Sequence, residues 1–160
     1  MNNTKLFIIL GNQLFNPHLY FTQINQYDFF LCEDYGLCSY VKHHKLKLLH
    51  VLSSMRLYRD ELKSLGLKVH YNSIEDENFY DDYLEKLKKT LSKNKYKKLF
   101  FFEIEDKFFE KKLLTLNKDV EIEVIKSRPL MDKSMAMIKK MNKKEKIKMI
   151  TELIKLSEIF

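Results

Sequence analysis

Lys5-Leu6-Phe7-Ile8-Ile9-Leu10-Gly11 is the stretch that decides the fold. Leu6 to Leu10 is apolar without a break and rich in β formers, and Gly11 ends it, the pattern of a strand buried on both faces. Such a strand belongs in a parallel sheet covered by helices, so helices and further strands should alternate along the chain. Asp28 to Cys32 reads as the second strand, Lys68 to Asn72 as the third, Lys98 to Glu103 as the fourth and Val120 to Ile125 as the fifth. Between them, Val41, Leu48, Leu52, Met55, Leu62 and Leu65 recur at three-, four- or seven-residue steps. They predict a helix from about Tyr40 to Leu65, capped by Ser39 and stopped by Gly66. Phe79 to Ser92 places Phe79, Tyr83, Leu87 and Leu91 on one helical face, Asp106 to Leu116 reads as another helix, and Ser134 to Phe160 as a last one with a basic face. The expected fold is α/β: a doubly wound, Rossmann-like, mostly parallel five-stranded sheet with helices on both faces. Residues 1–127 form that domain, and residues 128–160 form a basic helical tail or the start of a linker.

A chain of 160 residues, 45% apolar and 32% charged, suits one compact domain. Leu6 to Leu10 is too short to span a bilayer or to serve as a signal-peptide core, so a cytoplasmic location is expected. Cys32 and Cys38 are not at CxxC spacing, and two thiols make neither a disulfide framework nor an iron–sulfur ligand set. The formal charge of +7 is uneven: residues 1–125 carry 19 Lys/Arg against 18 Asp/Glu, and residues 126–160 carry 10 against 4. The body is therefore nearly neutral, and its lysines read as a solvated surface rather than a phosphate-binding face.

Ligands of doubly wound sheets settle outside the carboxyl ends of the strands near the switch point, which directs attention to the loops after strands one, two and four. Gly11 follows the first strand and Gly36 lies between the second strand and the long helix, flanking that crevice. Neither a GxGxxG nor a GxxxxGK[ST] sequence is present, so dinucleotide and P-loop readings lack a motif. His43 and His44 are adjacent, about 100° apart on a helix, and do not converge on one metal. The amino end of the long helix instead favours an anionic or carbonyl-bearing ligand, with Ser39, Tyr40, His43 and His44 nearby. Glu33, ending the second strand, is an acceptor for a ribose-like chain or a ring N–H, or else a solvated loop acid. Arg56 and Asp60 stand four apart, the spacing of a surface ion pair. No nucleophile-and-base arrangement is evident, so no catalytic residue and no metal ligand is assigned.

Ile8-Ile9-Leu10-Gly11-Asn12-Gln13-Leu14, Cys32-Glu33, Ser39-Tyr40-Val41-Lys42-His43-His44-Lys45-Leu46-Lys47, Met55-Arg56 and Leu65-Gly66-Leu67-Lys68-Val69-His70-Tyr71 together resemble the amino-terminal domain of the photolyase-related family. That family includes the iron–sulfur bacterial cryptochromes and (6-4) photolyases. The likeness is strong from Lys5 to Tyr71, weaker through the later strands and faint from Arg128 to Lys148. It implies an antenna domain that can hold a ribityl-lumazine, with Gly11, Asn12, Gln13, Glu33, Tyr40 and His44 as its cofactor-binding residues. It also implies a helical FAD-binding partner domain, missing or separately encoded, so FAD and a 4Fe-4S cluster are not expected in this chain. Family members commonly carry Asp where Asn12 stands and an acidic residue where Leu37 stands, so two carboxylates able to fix a ring or tail are replaced here. The apolar stripe Ile147, Ile150, Leu153, Ile154, Ile159 and Phe160 suggests a helix that packs on a partner or folds back on the sheet. The alternative to an antenna role is a degenerate module that binds a protein through this stripe or contacts DNA weakly through the basic tail.

Overall fold

The computed structural model describes residues 4–17, 23–126 and 151. Its strands are β1 (Lys5–Ile8), β2 (Tyr27–Cys32), β3 (Val69–Asn72), β4 (Lys98–Phe102) and β5 (Glu121–Ile125). They form one sheet in the order β3-β2-β1-β4-β5, with every neighbouring pair parallel. Four helices, α1 (Tyr35–Ser39), α2 (Lys45–Ser64), α3 (Tyr83–Asn94) and α4 (Lys107–Leu114), connect them. The chain is thus an α/β protein of Rossmann-like arrangement, as its alternating pattern predicts.

Strand pleating sends successive side chains to opposite faces, and each face has its own core. On one face Phe7, Phe29 and Phe100 pack against Leu49, Leu52, Met55, Tyr58 and Leu62 of α2. On the other, Leu6, Ile8, Phe30, Leu99 and Phe101 meet Tyr83, Leu87 and Leu91 of α3 and Phe109 and Leu113 of α4. Each fully buried Leu or Phe contributes about 1.5–3 kcal/mol, and sealing both faces requires the unbroken apolar strands seen in the sequence. The two edge strands are less buried: β3 is partly exposed along its length, and β5 puts Glu121 and Glu123 in solvent, which blunts a free sheet edge.

This topology locates the crevice. From β2 to β3 the chain crosses one face through α2; from β3 to β4 it crosses the other through α3. The connections therefore part at β1, and the carboxyl ends of β1 and β4 are left uncovered between them.

The predicted helix from Tyr40 to Leu65 starts later, at Lys45 (α2), and a separate short helix, α1, precedes it. Asp34 accepts a hydrogen bond from the Leu37 backbone N–H (3.0 Å) and caps α1. Ser39, expected as a cap, ends α1, its hydroxyl donating back to the Tyr35 carbonyl at 2.7 Å. The backbone at His44 is extended (ψ 134°), and His44 Nδ1 accepts from the Leu46 N–H at 3.2 Å to cap α2. Side-chain caps at both positions outcompete one continuous helix. For the same reason α3 starts at Tyr83 rather than Phe79, with Asp82 accepting from Leu84 N–H at 2.9 Å. Gly66 (φ 76°) supplies the left-handed turn out of α2 towards β3. The expected tail over 128–160, with its apolar stripe, lies outside the described residues apart from Thr151, which is helical and exposed.

Candidate functional site

Two adjacent acids end β2 and turn to opposite sides. Glu33 is fully buried; its carboxylate accepts from Arg56 Nε (2.5 Å) and Nη2 (2.9 Å), the Tyr71 hydroxyl (2.5 Å) and the Ile74 N–H (2.8 Å). One side chain thereby joins β2, α2, β3 and the loop after β3. Burial, then Glu33, pushes the Tyr71 hydroxyl pKa up, so Tyr71 donates to Glu33 over the whole physiological range. The Arg59 guanidinium lies 4.7 Å from the Tyr71 ring centre, completing the cluster.

Asp34, 4% exposed, accepts at Oδ2 from Lys86 Nζ (2.9 Å) while Oδ1 caps α1. Lys86 is itself 1% exposed and donates also to the Phe79 carbonyl at 2.7 Å. Burying an ammonium group is costly unless it is paired and hydrogen-bonded, and Asp34 provides the pair.

On the Asp34 side the carboxyl rim is open as a cavity of about 190 Å³ between the ends of β1, β2 and β4 and the first turns of α2. Leu10, Leu48, Val51, Leu52, Met55, Ile104 and Phe109 give it apolar walls; Asn12, Asp34, His43, Lys47 and Asp106 give it polar groups. Gly11 is required at its base, because a Cβ there would lie 2.6 Å from Val51 Cγ1 and 2.9 Å from Met55 Sδ. Cys32 and Cys38 are free thiols on the same wall. Burial, followed by the Asp34 and Glu33 charges, pushes the Cys38 pKa up to about 12, and burial raises that of Cys32 as well.

Of the six cofactor-binding residues expected, Gly11, Asn12 and Tyr40 meet in this cavity. The other three are placed elsewhere. Gln13 Nε2 donates to the Glu103 carbonyl at 3.0 Å, fastening the loop after β1 to the end of β4. Glu33 turns towards β3, and His44 caps α2 while its neighbour His43 lines the cavity. Arg56 pairs with Glu33, and Arg59 engages Asp60 at 2.7 Å. Lys86 and Asp34 were not among the sequence candidates. A signal existed: Lys86 lies on the face of α3 set out by Tyr83 and Leu87, where a cation is exceptional unless paired. Its partner, 52 residues away, has no sequence signature.

Among the described residues no group of three or more His, Cys, Asp or Glu side chains is arranged to hold a metal, and no helix is long and apolar enough to cross a membrane.

The chain matches a family model described as deoxyribodipyrimidine photo-lyase-related protein over residues 7–151. It belongs to that family. As a photo-lyase-related protein it is also 31% identical over 90 residues to a (6-4) photolyase of Agrobacterium fabrum (strain C58 / ATCC 33970). That alignment takes in 55% of this chain and 18% of the relative. The photo-lyase-related chain thus matches a small part of the longer protein, and its cavity lies within the span of the family match.

Proposed function

We propose that this photo-lyase-related domain binds an antenna-type chromophore of the ribityl-lumazine class in the cavity at the carboxyl rim. The observation that carries the reading is that Gly11 and Asn12 of the loop after β1 and Tyr40 of the segment between α1 and α2 line one apolar cavity at the point where the sheet connections part. The wall chemistry fits a flat heteroaromatic ring: aliphatic side chains and Met55 cover its faces, while Asn12, His43 and Lys47 offer hydrogen bonds to carbonyl and nitrogen atoms at its edge. Leu37, where the family commonly has an acid, lines the cavity too and makes it more apolar. A bound lumazine would absorb light and hand the excitation to an acceptor. The residues around it exclude water and fix the ring's orientation. In this reading the acceptor is an FAD in a helical partner domain, so neither FAD nor a 4Fe-4S cluster is assigned to the present residues.

The test is titration of the purified chain with ribityllumazine, followed by fluorescence quenching and by the anisotropy of the bound ring. One ligand should bind per chain, and Leu48→Trp, which fills the cavity from α2, should weaken binding at least about tenfold while the far-UV circular dichroism is kept. Equal affinity in the filled variant would refute the reading.

A second reading draws on exposed apolar groups near the cavity: Tyr40 (64%) lines it, and Leu46 (60%) and Phe108 (88%) are chain neighbours of its lining residues Lys47 and Phe109. Large exposed apolar groups favour docking of another protein surface over the opening. Self-association or capture of a partner that persists after Leu48→Trp would support an interaction module without chromophore.

A further inference from the structure

The opposite pole of the sheet holds a groove that shares no lining residue with the rim cavity. It lies at the amino ends of β4 and β5, between the last turns of α3 and the turn Thr115–Lys118 that follows α4, and its volume is about 500 Å³. We propose that this groove binds a small monocarboxylate with a compact apolar body, an aryl carboxylic acid for instance, held by Lys88 and Lys95. The inference is independent of the rim cavity and of what fills it.

The floor of the groove is apolar. Leu91, Tyr96 and Val120 keep small exposed areas (8%, 7% and 6%), and Leu116 is buried beside them. The Tyr96 hydroxyl is used internally, donating to Asp28 and lying 2.7 Å from His70 Nε2. Tyr96 therefore brings ring carbon rather than a free polar group to the floor. Water over such a surface finds no partner in it, and an apolar ligand displaces that water favourably.

The walls carry charge. Lys88, Lys89 and Lys95 belong to the α3 side, and Asp119 to the other. Lys89 is paired with Asp81 at 2.8 Å, whereas the ammonium groups of Lys88 and Lys95 have no partner among the described residues. Two ammonium groups against one carboxylate leave an excess of one positive charge. A monoanion balances it, and a dianion would be repelled by Asp119.

Lys95 adds an observation that charge does not explain. Among the described residues it alone, glycine apart, has a positive φ (φ 55°, ψ 41°), and it ends α3 in left-handed backbone where α2 is followed by Gly66. A Cβ is unfavourable in that conformation, and strained residues are retained where their side chains are needed, at ligand clamps among other places. Glycine at this position would relieve the backbone and remove the ammonium group together. Stability and binding should then move in opposite directions, which a purely structural lysine would not produce.

The experiment titrates the full chain with naphthalene-2-carboxylate, followed by its fluorescence, and repeats the titration with naphthalene-2-carboxamide and 2-naphthyl phosphate. The carboxylate should bind at one site per chain, at least about fivefold tighter than the neutral amide and no weaker than the phosphate, with affinity falling as salt is added. Lys88→Gln and Lys95→Gly should each weaken it about threefold, and Lys95→Gly should raise the thermal midpoint at the same time. Ser92→Trp, at an exposed lining position, should abolish binding with the far-UV circular dichroism kept, whereas Leu48→Trp in the rim cavity should leave it unchanged. The inference is overturned by amide binding as tight as that of the carboxylate, by tighter binding of the phosphate, or by loss in Leu48→Trp rather than in Ser92→Trp. A Lys95→Gly chain that is stabilised yet binds equally well, or the absence of saturable binding, overturns it too.

Discussion

The carboxyl rim of the sheet has a sealed half and an open half, and the two meet between Glu33 and Asp34. On the sealed side, between β2 and β3, a buried carboxylate is saturated by four donors and lines neither cavity described above. On the open side, between β1 and β4, Asp34 is likewise ion-paired, yet it borders the rim cavity. Both acids are buried and paired, so burial and charge do not separate scaffold from site. What separates them is topology: α2 passes directly over the β2–β3 side, whereas the β1–β4 side lies where successive connections leave for opposite faces.

The largest effect expected from breaking this contrast is on stability. Arg56→Ala strands the Glu33 charge in the interior and should cost about 3–5 kcal/mol in chemical denaturation, because removing one partner of a buried pair leaves the other unpaired. Chromophore affinity of the molecules that remain folded should be unchanged. A variant of native stability that lost binding would place function on the sealed side after all.

The next effect sharpens the open side. With its pKa near 12 against an ordinary 9.0, the Cys38 thiol should be alkylated at pH 8 about a thousandfold more slowly than a free cysteine, as its thiolate fraction falls by that factor. Mass spectrometry of chain treated with iodoacetamide, native and in denaturant, measures it. The sign is that of a raised acid: reactivity grows as pH climbs towards 12. Rapid labelling at pH 8 would mean that the cavity wall is wet.

The smallest effect concerns the floor. Gly11→Ala drives a methyl into Val51 and Met55 and should cost about 1–3 kcal/mol by overpacking, read as a lower thermal midpoint, with weaker ligand binding as α2 shifts. A neutral result would mean that α2 yields without cost, and that glycine is there for its turn alone.

Much of the fold was legible in one dimension. Leu6 to Leu10 and Phe100-Phe101-Phe102 declared buried parallel strands because both faces of such a sheet must be apolar, and alternation with helical periods then left few topologies. The start of α2 at Lys45 and the short α1 before it were hidden, since Asp34 and His44 act as caps only in backbone geometry that apolar periodicity does not encode. The candidate site was half legible. The loops after strands one, two and four follow from strand order, and Gly11, Asn12 and Tyr40 do converge there. Glu33 looked like a ligand acid because it ends a strand at the correct rim. That it turns to Arg56 and Tyr71 depends on side-chain direction at the strand end, which no pattern of residue types sets.

By itself the sequence determined the class of fold, the sheet's two apolar faces and the rim where a ligand belongs, because those follow from periodicity and chain connectivity. Only the tertiary structure decided which acid faces the cavity and that a buried lysine neutralises it. Those facts are pairings between residues distant along the chain, and a hydrogen bond or an ion pair exists only once packing has set both ends within reach.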